Sequence, residues 1–209
     1  PPLGLWQLTC RDRPATVDHV PEVRRYYLGG GDTTALSMFR SKVHDAADQG
    51  VYAALASAQE SIDVMQVSYS FPLLCGLNHF FQLCTYEHAP RYIVELVDAA
   101  EDSGAKARVL VGALPFQGVE NSVAVDLLRR EVKKRGLEEQ VEFRFFDGLV
   151  HNKTILVDDE FLIVGSHNFH YSAFGKGRSL TEHSLGLVDP VAVQDFNRLF
   201  DYHWERSKQ

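Results

Sequence analysis

The segment His151–Asn168 reads HNKTILVDDEFLIVGSHN, and no other stretch restricts the fold as strongly. His151 and Lys153 stand two apart, so on a β-strand both point to one face, and Asp158 falls on the other. Thr154 to Val157 is mostly β-branched and apolar, which suits a buried strand. Asp158-Asp159-Glu160 is a polar break, and Phe161 to Val164 is a second apolar run. Two short strands about a tight polar turn predict an antiparallel hairpin. Folding it about Asp158 and Asp159 brings His151 roughly opposite Ser166, with Asn168 just beyond. One end of the hairpin then gathers an imidazole, an ammonium, a hydroxyl and a carboxamide. Such a set suits an anionic tetrahedral centre, and phosphate is the obvious one.

The 209 residues suffice for one large domain or two small ones, and a hydrophobic content of 45% supports a proper core. The formal charge of −7 does not exclude a local basic pocket, but it counts against a nuclease. Cys10, Cys75 and Cys84 form neither a metal-site pattern nor a disulfide framework. Reduced, partly buried thiols are the plain reading, and a Cys75–Cys84 bridge stays open in an oxidising compartment. No apolar run reaches the roughly 20 residues needed to span a bilayer, and no signal peptide is visible. The chain starts Pro1-Pro2 without an initiator methionine. That fits a processed or recombinant product, or a piece of something longer.

Along the chain, residues 1–35 read as an extended lead-in arm, anchored by Trp6 and Leu8, and 36–209 as one α/β domain. Leu36 to Ala58 is expected to be a helix interrupted near Gly50. Ser61 to Ser70 is a strand with alternation on Ile62 and Val64 that Gln66 and Ser68 can continue. Phe71 to Cys84 is strongly apolar: either a buried helix or subunit contact, or a loop at the mouth of the site that receives acyl chains and touches a membrane. His88 to Ser103 is a helix ending at Gly104, and Ala107 to Leu114 a strand buried on both faces. Pro115 to Asn121 is a loop that could lie over the site, and Ser122 to Arg135 an amphipathic helix. The basic cluster Arg129, Arg130, Lys133, Lys134, Arg135 is a solvated helix end favoured by the dipole. Val141 to Phe146 and Leu180 to Val188 are strands. Val191 to Arg206 closes the chain as a helix with Val193, Phe196, Leu199 and Phe200 inward. Strand–helix alternation followed by clustered strands predicts a mixed sheet flanked by helices.

The spacing His-x-Lys-x4-Asp-x6-Gly-Ser-x-Asn resembles the HKD motif of the phospholipase D superfamily. His151, Lys153, Asp158, Gly165, Ser166 and Asn168 match every position of the extended pattern. The resemblance implies one phospholipase D-like lobe, with His151 as the nucleophile that forms a phosphohistidine intermediate. It implies that Lys153 and Asn168 hold the non-bridging phosphate oxygens, with Ser166 assisting, and that no metal or other cofactor is needed. Asp158 and Gly165 would be structural. A glutamate after the motif would hold the second ring nitrogen, and Glu182 in RSLTEHSLGLV stands at the right distance. Period-2 logic makes His167 a packing residue, and leaves His170 and His183 undecided.

Family sites are built from two motifs, and no second His-x-Lys-x4-Asp occurs in this chain. The second histidine is therefore expected from a homodimer mate or from a missing N-terminal half. The segment Gln66–Pro72, QVSYSFP, resembles a strand end in the C-terminal lobe of cardiolipin synthases and bacterial phospholipases D. With the acidic charge and the apolar Phe71–Cys84 run, it implies a membrane-associated hydrolase or phosphatidyltransferase acting on phospholipids. The alternatives are a metal-independent homodimeric endonuclease, and an idle lobe that binds anionic headgroups. Nucleic acid is not the expected partner.

Overall fold

The computed structural model describes residues 34–41, 44–71, 84–113, 115–174 and 180–207. Among these residues a seven-stranded sheet carries four α-helices. The elements in chain order are β1 (Thr34–Arg40), α1 (Ala46–Ala56), β2 (Ser61–Gln66), α2 (Arg91–Asp102), β3 (Lys106–Val111), α3 (Pro115–Arg135), β4 (Val141–Phe145), β5 (Lys153–Val157), β6 (Phe161–Gly165), β7 (Glu182–Val188) and α4 (Pro190–Trp204). The sheet order is β1-β7-β6-β5-β2-β3-β4. β2, β3 and β4 run parallel, whereas β5, β6, β7 and β1 are joined by antiparallel ladders. This is the expected mixed sheet flanked by helices.

Alternation along the strands divides the core in two. Ile62 and Val64 of β2, Val109 and Val111 of β3, Ile155 and Val157 of β5 and Ile163 of β6 pack under α1, α2 and α3. Met65, Leu110, Leu156 and Leu162 face the other way and meet Ala192, Val193, Phe196, Phe200 and Trp204 of α4. Burying each large side chain of this kind contributes about 1.5–3 kcal/mol. Asp189 caps α4, accepting hydrogen bonds from the Val191 and Ala192 amides at 2.9 Å, and Pro190 takes the first helical position. Leu199 does not join this core: it is 43% exposed, against expectation.

Several expected boundaries are corrected. Residues 36–40 are strand, not helix, because β1 pairs with β7 from Thr34↔Val188 to Arg40↔Glu182. Gly50 lies inside α1 without breaking it. Residues 115–121 are the first turns of α3, not a loop. Asn121 explains why they are held there. Its fully buried carboxamide accepts from the Tyr69 amide at 2.8 Å and donates to the carbonyls of Val67 (3.1 Å) and Gly112 (2.7 Å). It thereby satisfies main-chain groups where β2 and β3 leave the sheet. The first strand of the parallel set stops at Gln66, earlier than Ser70; only a single bridge, Tyr69 to Phe169, continues it. The arm assigned to 1–35 lies outside the described residues, save Thr34 and Ala35 of β1. Residues 72–83, most of the apolar run, lie outside them too. Cys84 is buried and disulfide-bonded, not a reduced thiol. No helix of the described residues is long and apolar enough to cross a membrane.

Candidate functional site

The predicted hairpin is β5–β6, paired from Thr154↔Val164 to Val157↔Phe161. Asp158 and Asp159 both adopt φ of 53° in the three-residue connection 158–160, a left-handed tight turn closed by the Glu160 amide donating to the Val157 carbonyl at 3.0 Å. Asp158 also ties this turn down. Its carboxylate accepts from the amides of Gln59 (3.0 Å), Glu60 (2.8 Å) and Ser61 (2.9 Å), at the start of β2. Burial opposes its ionisation, but the three amide donors outweigh burial and hold the carboxyl below the usual carboxylate range.

At the other end of the hairpin the strands open. Lys153 begins β5 with the parity of Ile155 and Val157, hence on the three-helix face. Its ammonium lies 3.2 Å from Nε2 and 3.4 Å from Nδ1 of the exposed His151 ring, and 3.2 Å from the His151 carbonyl. Burial lowers the proton affinity of Lys153, and the nearby Glu182 carboxylate partly restores it.

Ser166 and Glu182 form the second part. Gly165 faces Ser184 of β7 so closely that a Cβ there would overlap the serine, so only glycine lets β6 and β7 approach. Immediately after it, Ser166 Oγ donates to Glu182 Oε2 and accepts from the His183 amide at 2.9 Å. The hydroxyl proton is thus committed to Glu182, and its release would precede any donation to phosphate. Glu182 is 6% exposed, and among the described residues its carboxylate bonds Ser166, not the His151 ring.

Asn168 completes the set. Its side-chain oxygen is buried and has no hydrogen-bond partner among the described residues. Its neighbours fix its place. Phe169 is fully buried against Tyr92 (ring centroids 4.7 Å apart) and Tyr69 (5.5 Å), and its carbonyl accepts from the Ser70 amide at 2.8 Å. His167 is buried, as the period-2 reading expects; Nδ1 lies 2.7 Å from Ser184 Oγ, and Nε2 lies 3.8 Å from Asp48. That carboxylate also receives Arg40 Nε at 2.6 Å, a fully buried pair that reading β1 as helix concealed. His170 faces Glu120 at 3.4 Å, and His183 bonds Ser37 at 2.9 Å. Among the described residues, no group of three or more His, Cys, Asp or Glu is arranged to share a metal ion.

Gln66 was not foreseen as part of the site. It is 1% exposed and stands opposite Lys153 in the β2–β5 ladder. Its signal was a polar residue on the inward parity of a strand that otherwise reads Ile62, Val64. All these groups gather where β2, β3, β4 and β6 end and β5 and β7 begin. β2 is parallel to β3 and antiparallel to β5, and open α/β sheets place ligands beyond strand ends where the order changes.

The family model described as "Cardiolipin synthase, PLD-like domain" matches residues 51–204. No curated protein matches the chain in sequence. Among solved structures, the fold is similar to Nuc from Salmonella typhimurium, a phospholipase D family member, with a TM-score of 0.62 at 19% identity over 85% of this chain and 97% of that one. NucT from Helicobacter pylori gives 0.60 at 13% identity, over 85% and 99%. Phosphatidylserine synthase from Haemophilus influenzae gives 0.58 at 15%, covering 79% of this chain and 38% of that one.

Proposed function

The chain belongs to the phospholipase D superfamily, and from that premise we propose that it hydrolyses or transfers the phosphodiester of phospholipids through His151. The single observation carrying this reading is the ammonium of Lys153 beside the His151 ring, 3.2 Å from Nε2, at the open end of a hairpin whose far end is tied down. An unprotonated ring nitrogen attacks phosphorus, a P–N bond forms, and the P–O bond to the leaving alcohol breaks. The leaving oxygen takes a proton from a second histidine, supplied by another lobe. Water or an alcohol then gives a proton back to that histidine as it attacks, and the P–N bond breaks. Lys153 keeps donors to spare for the non-bridging oxygens, and the Asn168 amide meets the same charge. Glu182 orients Ser166 here, and the pair braces the segment that leads to Asn168.

The phospholipid assignment is supported by the charge of −7 and by the family description. It predicts headgroup release from vesicles of phosphatidylglycerol, phosphatidylcholine or cardiolipin by the assembled protein, and none by His151→Ala. If all three lipids are left intact, the assignment is dead.

A homodimeric endonuclease is the second reading. The observation favouring it is that one lobe accounts for 97% of Nuc and 99% of NucT, so in those proteins the fold stands without a second lobe on the same chain. Cleavage of single-stranded DNA in EDTA, abolished by His151→Ala, would decide for it.

A further inference from the structure

Gln66 is a glutamine where the alternation of β2 calls for an apolar side chain, since Ile62 and Val64 on the same face are fully buried in the core. A buried carboxamide needs partners for two donors and an acceptor. Gln66 finds one partner for its nitrogen and one for its oxygen in main chain on both sides of one residue. Its Nε2 donates to the His167 carbonyl at 3.4 Å, and its Oε1 accepts from the Phe169 amide at 3.3 Å. The residue between is Asn168. The side chain therefore acts as a short piece of strand, pairing with the backbone of 167–169 where no ladder exists.

The main chain of the same region tightens the arrangement. Gln66 is the Cα partner of Lys153, the Val67 amide donates to the Asn152 carbonyl at 3.0 Å, and the Gly112 amide donates to the Gln66 carbonyl at 3.0 Å. One residue thus touches both halves of the site: by register it faces the strand that carries Lys153, and by its carboxamide it holds the loop that carries Asn168.

We infer that Gln66 is a positioning residue for phosphoryl transfer: its carboxamide sets the Asn168 amide against Lys153 and His151, so that both halves of the site meet the charge on one phosphate. The inference rests on the proposed phosphodiester chemistry, yet it can be tested with or without turnover. Misplacement by about 1 Å is enough to cost on the order of 100-fold in rate. Gln66→Leu keeps the volume and removes both hydrogen bonds. Gln66→Glu keeps the acceptor for Phe169 and loses the donor to His167.

The assembled protein is assayed with bis(p-nitrophenyl) phosphate, and affinity for inorganic phosphate is measured by 31P NMR line broadening. Gln66→Leu should lower kcat about 30–100-fold with KM changed less than about 3-fold, and Gln66→Glu should recover part of the loss. Phosphate should bind about 10-fold more weakly to Gln66→Leu than to the parent, as it should to Lys153→Ala. Met65→Ala, on the opposite sheet face, is the control for lost packing and should lower the melting temperature while leaving kcat near its parent value. The inference is overturned if Gln66→Leu keeps kcat within about 2-fold, or if Met65→Ala reproduces the loss of kcat at the same melting temperature. If the parent shows no turnover, the functional reading fails by itself and phosphate affinity decides on Gln66. Equal affinity in parent and Gln66→Leu then overturns the inference, and a Gln66→Leu too unstable to measure passes the same comparison to Gln66→Glu.

Discussion

The two ends of the β5–β6 hairpin are both polar and do opposite things. At the turn, a carboxylate is surrounded by three amides from the start of β2, and nothing there is left over for a ligand. At the opening, an ammonium sits against an exposed imidazole, and a buried carboxamide oxygen has no partner among the described residues. One end spends its polar groups on the fold, and the other keeps them for a ligand. The difference teaches that the motif is two devices at opposite ends of one five-residue strand: a fastening and a reactive edge.

The contrast can be broken most severely at the reactive edge. His151→Ala should lower turnover at least about 1000-fold. Because the ring is exposed, the melting temperature should move little, within about 0.5 kcal/mol of stability. A large loss of stability would mean that His151 serves the fold after all. Asp158→Ala should do the reverse: about 1–2 kcal/mol less stability by urea titration, with turnover near the parent's under folding conditions. Loss of turnover without loss of stability would erase the distinction between the ends.

Titration sharpens the contrast at smaller amplitude. Burial leaves Lys153 easier to deprotonate than a free lysine, so the alkaline limb of kcat should begin below the free value of about 10.4. Lys153→Arg should remove that limb, which a pH–rate profile would show. The Asp158 carboxyl lies below its unfolded value near 4, so its contribution is complete above that value. It is lost as pH falls through the lower, folded value. Asp158→Asn should therefore flatten the acid side of a stability–pH curve measured by urea denaturation.

The hairpin was legible because its information is local. Apolar runs, a short polar turn and fixed spacing all lie within eighteen positions, and the resemblance rests on them. β7 and the body of α4 were legible for the same reason: alternation along a strand and apolar spacing along a helix need no distant partner, although the cap at Asp189 came only with the structure. β1 was not. Leu36, Ser37, Met38 and Phe39 suit a helix or a strand by themselves, and pairing with β7, whose Val188 lies opposite Thr34, decides between them. The start of α3 was concealed because Gly118 and Asn121 suggest a loop, whereas Asn121 is buried to close the exits of β2 and β3. Ser166 and Glu182 were singled out, but their mutual bond depends on the β6–β7 approach at Gly165, which spacing alone does not reveal.

The left-handed pair Asp158-Asp159 also sets the phase of the whole hairpin. Side chains alternate with a period of two, so a turn one residue longer would rotate Lys153 away from the three-helix side and bring Thr154 there in its place. The protein can accept a change of residue in this turn more readily than a change of length, and a designer who wants a different reactive edge should keep the count and vary the letters.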